Sequence, residues 1–216
     1  VEILRYLMPA LTAYLLGSIP TGYLVARAKG IDIRSVGSGN IGATNVMRSL
    51  GRPAGILVLV ADGLKGWVAC GMLPGYALPL FEIRPGFEGQ FREVLAIVCG
   101  FAAVLGHNYP CWLKFKGGKG IATSAGVLAA LVPWALVIIL SLWIIFSVLT
   151  RYVSIGSLVA SFTLPFASWF TTHNTVLTVV TGAMGALAIY KHRANIQRLL
   201  NGTESQVHFG KKGDDK

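Results

Sequence analysis

Charge is what this 216-residue chain has little of: Asp, Glu, Lys and Arg make up 13% of it, against roughly 25% in an ordinary soluble domain. With 54% hydrophobic residues and a mean hydropathy of +0.62, the shortage excludes a soluble globular domain and points to an integral membrane protein. Acid is scarcer than base, nine Asp and Glu against nineteen Lys and Arg, for a net charge of +10. Cysteine is scarce as well. Cys70, Cys99 and Cys111 show no metal-ligand spacing, and an odd number in apolar context gives no disulfide framework. They read as packing residues, and no metal or cofactor is expected. A cleavable leader is not evident either: the first apolar run is flanked by Glu2 and Arg5 and passes through Pro20 into polar sequence without a small-residue cleavage pair.

Long apolar runs are plentiful. A hydrocarbon core takes about 20 apolar residues or somewhat fewer, and seven runs approach that: 4–26, 54–73, 94–105, 121–131, 134–149, 155–170 and 176–190. The third is short and extends back through Phe91-Arg92-Glu93; only Val132-Pro133 separates the fourth from the fifth, so six spans with one kinked helix compete with seven. Charge decides between them. With seven spans, the segments 27–53, 106–120, 150–154 and 191 onward lie on one side and carry fifteen of the nineteen Lys and Arg residues. The opposite side has Arg5, Arg84 and Arg92, offset by Glu2, Glu82, Glu88 and Glu93, and Lys65 lies within a span. Positive residues stay in the cytoplasm, so the expected fold is an all-α membrane protein of seven transmembrane helices, N-terminus outside and C-terminus cytoplasmic. Residues 1–204 read as a single seven-helix domain. The tail 205–216, with Lys211, Lys212 and Lys216 beside Asp214 and Asp215, reads as disordered.

The basic side carries three unusual stretches. In Phe115-Lys116-Gly117-Gly118-Lys119-Gly120, three glycines in four positions let backbone N–H groups line a concavity, and Lys116 and Lys119 add cationic donors, as an anion requires. Thr123 and Ser124 stand where the next helix begins, so its first-turn amides point the same way. It is not a nucleotide loop of the Walker type, because Leu113 stands where the first glycine should be and Gly120 replaces the metal-binding hydroxyl residue. Taken alone, such a loop is about as often a flexible basic connection as a binding site.

In the second stretch, residues 36–48, glycine alternates with Ser38, Asn40, Thr44 and Asn45, and Arg48 closes the run with a planar fork for an oxyanion. A turn with a helix cap explains part of this, but not the density of amides. Residues 17–22 and 62–66 are further polar interruptions; Asp62 and Lys65, three apart, are at least as well read as a structural pair. In the third stretch, His192, Asn195 and Arg198 fall at helical spacing, presenting imidazole, amide and guanidinium together. A plain headgroup anchor would give no reason for His192 and Asn195.

Together these motifs resemble one family, the bacterial acyl-phosphate:glycerol-3-phosphate acyltransferases (PlsY family), over almost the whole chain. The resemblance rests on Gly-Ser-Gly-Asn-Ile-Gly-Ala-Thr-Asn at 37–45, His-Asn-Tyr-Pro at His107 with the Gly-rich loop, Arg-Tyr-Val-Ser at 151–154 and His-Arg-Ala-Asn-Ile-Gln-Arg-Leu at His192. It implies transfer of a fatty acyl group from acyl phosphate to glycerol 3-phosphate, giving lysophosphatidic acid and phosphate in phospholipid synthesis, in the bacterial inner membrane with the site facing the cytoplasm. The partners implied are acyl phosphate, glycerol 3-phosphate and membrane lipid, without nucleic acid. Ser38, Asn40, Arg48, Lys119 and His192 are then the catalytic candidates. Gly39, Thr44, Asn45, His107, Lys116, Gly117, Gly118, Gly120, Thr123, Ser154, Asn195 and Arg198 are the substrate-binding candidates.

None of the histidines has Asp five residues on, so the base–carboxylate pair of the soluble acyltransferases is missing. Nor is there a carboxylate in sequence reach to fix the His192 tautomer. The glycerol 3-phosphate phosphate is therefore favoured over His192 as proton acceptor, having a second pKa of about 6. A transporter of a phosphorylated metabolite is the alternative, but it would place its cations near the bilayer midplane and often show a repeat. A non-catalytic lipid-binding scaffold would not need the glycine loop.

Overall fold

A computed structural model describes residues 3–81 and 86–206, and all the regular structure in them is helical. The expectations placed on Glu2, Glu82, Arg84 and the tail beyond residue 206 lie outside the described residues. The helices fall into two compact units, Val1–Leu136 and Val137–Lys216.

In the first unit the run expected as one span over 4–26 is two helices, α1 (Leu4–Ser18) and α2 (Thr21–Arg27). Pro20 has no N–H and pushes Ile19 to an extended ψ of 113°, which ends α1 at Ser18, before the basic segment. A 3-10 turn, Ile33–Ser35, follows, capped by Asp32, whose carboxylate accepts from the Arg34 amide and pairs with its guanidinium at 2.6 Å. Short α3 (Ala43–Leu50) turns at Gly51, φ +91°, into α4 (Arg52–Trp67). α4 continues through a widened turn, Val68–Met72, and α5 (Leu73–Ala77), so that Arg52–Leu80 is one helical run of 29 residues. α6 (Glu88–Asn108) begins well before its apolar core, as the extension through Phe91-Arg92-Glu93 led us to expect. α7 (Ile121–Leu131) has the expected bounds.

α1 packs on α6, where the Tyr14 hydroxyl donates to the Tyr109 carbonyl at 2.8 Å. α4 packs on α7 without room for side chains between them: a Cβ on Gly126 would collide with the Gly63 carbonyl, and one on Gly66 with the Thr123 carbonyl.

α8 (Pro133–Thr150) is separate from α7, because Val132 leaves helical geometry at φ −143°, ψ 64°. The second unit holds the rest of α8, with α9 (Val153–Thr172), α10 (Thr175–Lys191) and α11 (Arg193–Leu200). Trp143 Nε1 donates to Ser157 Oγ at 3.1 Å, tying α8 to α9. At the α9–α10 turn His173 takes the left-handed conformation and Asn174 Oδ1 caps α10 by accepting from Val176 and Leu177 amides.

Among the described residues, four helical runs are long and apolar enough to cross a membrane: Arg52–Leu80, Glu88–Leu113, Pro133–Thr150 and Val153–Thr172. Ile121–Leu131 and Thr175–Lys191 are shorter apolar helices. Large side chains such as Ile138, Leu140, Ile144 and Val148 are exposed along α8, a surface that matches lipid rather than water.

Candidate functional site

Two of the three polar stretches come together in the first unit because they share a core. Leu113, just before the Gly-rich loop, is buried in one cluster with Ile33, Ile41 and Val46 from the 33–46 region. Around that core lies a cleft of about 590 Å³, bounded by Tyr23, Leu24, Arg34, Trp112, Lys114 and Lys116. Cations and apolar groups line it together, the surface an anionic amphiphile matches.

The 36–48 stretch is organised by Asn45, which is buried. Its Oδ1 accepts from the Ser38 amide at 3.0 Å, and its Nδ2 donates to the carbonyls of Asn40 (2.9 Å) and Val36 (3.0 Å). Asn45 therefore spends its amide on shaping the loop. Asn40 Oδ1 in turn accepts from the Gly42 amide at 2.8 Å, closing a turn just ahead of α3. The loop leaves Ser38 exposed beside Gly39, whose φ is +68°. Thr44 and Arg48, one turn apart on α3, share a face, with Arg48 exposed.

Left-handed conformations at Lys114 (φ 52°), Phe115 (φ 60°) and Gly120 (φ 81°) bend the Gly-rich loop, with Lys116 exposed and Lys119 half-buried. The Gly118 N–H donates to the His107 carbonyl at 3.1 Å, so this amide is held by the protein and not offered to an anion. His107 itself is 5% exposed and lies beneath the loop, with its Nδ1 3.0 Å from Lys65 Nζ. Thr123 is 0% exposed, its backbone carbonyl and methyl against Gly66. It faces the α4–α7 interface, where its place three residues into α7 had suggested an anion.

In the second unit the third stretch is not one continuous helix, since His192 breaks it between α10 and α11. His192 Nδ1 lies 2.8 Å from the Ala188 carbonyl. A carbonyl only accepts, so Nδ1 carries the hydrogen and Nε2 is the basic nitrogen. No carboxylate fixes the tautomer; the backbone carbonyl one turn back does it.

Asn195 Nδ2 donates to Glu204 Oε1 at 2.6 Å and Arg198 Nε to Glu204 Oε2 at 2.7 Å. Ser154, buried at the start of α9, faces the same carboxylate and helps hold it ionised, although its Oγ falls short of hydrogen-bond geometry. Burial pushes the Glu204 carboxyl up, but the hydrogen bonds from Asn195 and Arg198, with the nearby Ser154 hydroxyl and the Arg198 charge, outweigh it and leave its pKa below the ordinary value. The sequence reading took Ser154, Asn195 and Arg198 and missed the residue that gathers them. The signal was there, as Glu204 is the one acidic residue between Lys191 and Asp214.

The fold and the cleft define an all-helical membrane protein with a glycine- and lysine-rich loop beside a cationic cleft. A family model described as glycerol-3-phosphate acyltransferase matches residues 7–202. The glycerol-3-phosphate acyltransferase of Desulforudis audaxviator is 48% identical over 207 residues, covering 92% of this chain and 94% of its own length. The crystal structure of PlsY, an integral membrane glycerol 3-phosphate acyltransferase, in its glycerol 3-phosphate form superposes with a TM-score of 0.81 at 37% identity, covering 94% of this chain and 96% of its own. Its lysophosphatidic acid form gives 0.79 at 36%, covering 94% and 95%. The chain belongs to the glycerol-3-phosphate acyltransferase family, and is an acyltransferase of phospholipid synthesis.

Proposed function

We propose that the protein transfers a fatty acyl group from acyl phosphate to glycerol 3-phosphate, giving 1-acyl-sn-glycerol 3-phosphate and inorganic phosphate. The observation that carries this reading is the cationic cleft where the two phosphate-type loops share a core, beside helices apolar enough for lipid. It agrees with the two ligands in the crystal forms of the related enzyme, glycerol 3-phosphate and lysophosphatidic acid. Residues 1–204 act as one catalytic domain of seven spans in the bacterial inner membrane, with the site in the cytoplasm. The charge partition and the separation of α7 from α8 favour that topology.

An acyl phosphate is a mixed anhydride with a good leaving group, so positioning and charge stabilisation are the main demands. Lys116 and Lys119, with Gly117, Gly118 and Gly120 shaping the loop, hold a phosphate. Ser38, Gly39, Asn40, Thr44 and Arg48 form the polar wall at the reacting carbonyl, on a loop that Asn45 shapes. His192, Asn195, Arg198 and Ser154 hold glycerol 3-phosphate. The glycerol hydroxyl oxygen attacks the carbonyl carbon, the carbonyl–phosphate C–O bond breaks, and the hydroxyl proton passes to the phosphate of glycerol 3-phosphate. Accepting it on His192 would add a cation to a junction already flanked in sequence by Lys191 and Arg193.

The test is an assay of purified protein in lipid with labelled glycerol 3-phosphate and acyl phosphate, acyl-CoA or acyl carrier protein thioester as donor. Product with acyl phosphate alone is expected; product only with a thioester overturns the donor.

A further inference from the structure

Asp62 and Lys65 are 2% and 6% exposed in the middle of an apolar helix. Stability alone does not account for them, since a buried ion pair exchanged for apolar residues is often neutral or better, and ionisable groups at membrane depth generally mark function. The pair has two further members. Lys65 Nζ is 2.8 Å from Asp62 Oδ1, 3.0 Å from the Ile19 carbonyl and 3.0 Å from His107 Nδ1. The contact with Asp62 is short but poorly aligned, an ion pair more than a directed hydrogen bond. The Ile19 carbonyl stands at the break that Pro20 makes after α1, where it accepts from the Thr21 amide at 3.0 Å as well as from Lys65.

An ammonium has three hydrogens and no lone pair, and here it meets three acceptor atoms. With Lys65 charged, Nδ1 of His107 accepts. The reverse arrangement, Nδ1–H donating to Asp62, is ruled out by the 3.7 Å to Oδ1. The ring is then neutral with its hydrogen on Nε2. That edge of the ring lies against Gly118, where a Cβ would collide with Nε2, Cε1 and Cδ2. The His107 carbonyl meanwhile accepts from the Gly118 amide, and a Cβ on Gly117 would strike the same carbonyl. Side chain and backbone of His107 together set where the two glycines lie.

We propose that Lys65, held by Asp62 and the Ile19 carbonyl, is a positioning residue for the phosphate-binding loop: it fixes His107 as the Nε2–H imidazole and through it the placement of Gly117 and Gly118. The kinetic side of this rests on the proposed reading of the loop as a phosphate site; the tautomer does not.

The first measurement uses the unaltered protein. With ¹⁵N-labelled histidine in lipid nanodiscs, and the His107 signal assigned by its loss in His107→Gln, NMR should show Nε2–H; a dominant Nδ1–H form overturns the proposal. The second uses Asp62→Leu with Lys65→Met, which removes both charges and leaves no lone buried ion. There the Nε2–H signature should weaken, and KM for one of the two phosphate substrates should rise about tenfold while kcat stays within about threefold, as expected when a positioned binding group is lost. An unchanged tautomer and KM, or a fall in kcat that follows lost folding with KM unmoved, sinks it. If that variant does not fold, the tautomer in the unaltered protein decides. A protein inactive with every donor but showing the Nε2–H lock and its loss would overturn the functional reading and leave this one standing.

Discussion

By taking the Nδ1 hydrogen of His192, the Ala188 carbonyl makes Nε2 the basic nitrogen, which equips the ring equally to accept a proton and to receive a substrate hydroxyl as a hydrogen-bond donor. Kinetics separate the two roles. If His192 is the base, His192→Ala loses about a hundredfold to ten-thousandfold in turnover at any substrate level. We expect the loss to appear largely in KM for glycerol 3-phosphate, so that saturation recovers a measurable part of the turnover. Normal binding by calorimetry with no product would make the imidazole the proton acceptor. Sequence spacing found this residue but not its orienting partner, because a backbone carbonyl one turn back leaves no trace in side-chain identity.

Glu204 gives a second prediction at this scale. Its side chain is 5% exposed and its carboxyl is held ionised below the ordinary value. A lowered folded-state pKa means that the stabilisation is complete above the unfolded carboxyl range, about 4.3, and is lost as pH falls through the lower folded value. The turn after α11, where Thr203 N donates to the Arg198 carbonyl at 2.8 Å, should therefore lose amide-exchange protection only as pH falls below the ordinary carboxylate range. Glu204→Gln should lose it at neutral pH as well, and its protection should no longer follow that titration. The cost should lie near the lower end of about 1.5 to 3 kcal/mol, because Arg198 is a third exposed and partly screened. Unchanged protection in the variant at pH 7 would remove Glu204 as the organiser of the cluster.

Helices were the legible part of the sequence, and their boundaries show why. The apolar run at 121–131 has the bounds of α7, fixed by Gly120 before it and the nonhelical Val132 before Pro133 after it. At 4–26 apolarity ran on through Ile19 while Pro20 broke the helix, so composition gave the run and missed the break. What the sequence could not supply was which helices touch. Gly63 and Gly66 read as part of a polar interruption and Gly126 lies within an apolar run, and only their mutual approach shows them as the α4–α7 contact. Gly126→Ala places a methyl against the Gly63 carbonyl, and overpacking of this kind costs about 1 to 3 kcal/mol, occasionally more. Gly89→Ala, with open space around it in α6, should be neutral or stabilising by up to about 1 kcal/mol. Comparable thermal unfolding of both variants in detergent would remove close α4–α7 packing as a constraint.

For the whole molecule, helix length and charge give different weights to the same spans. α10 has 17 residues and α7 has 11, about 26 Å and 16 Å of rise against a hydrocarbon core of about 30 Å. Length alone would leave α7 in doubt. Charge demands both, because the basic segments 106–120, 150–154 and 191 onward lie on one side only if α7 and α10 cross. Single cysteines at three exposed positions, Gly89→Cys, His173→Cys and Ser205→Cys, decide the matter in a background where partly buried Cys111 is Ser. Gly89 and His173 should label with an impermeant thiol reagent from outside, and Ser205 from the cytoplasmic side only. With α6, α8 and α9 crossing, Gly89 and His173 share a side only if α7 crosses too, so labelling from opposite sides would show that α7 does not span. His173 and Ser205 differ only if α10 crosses, and labelling of both from one side would return α10 to the membrane surface and break the seven-span topology.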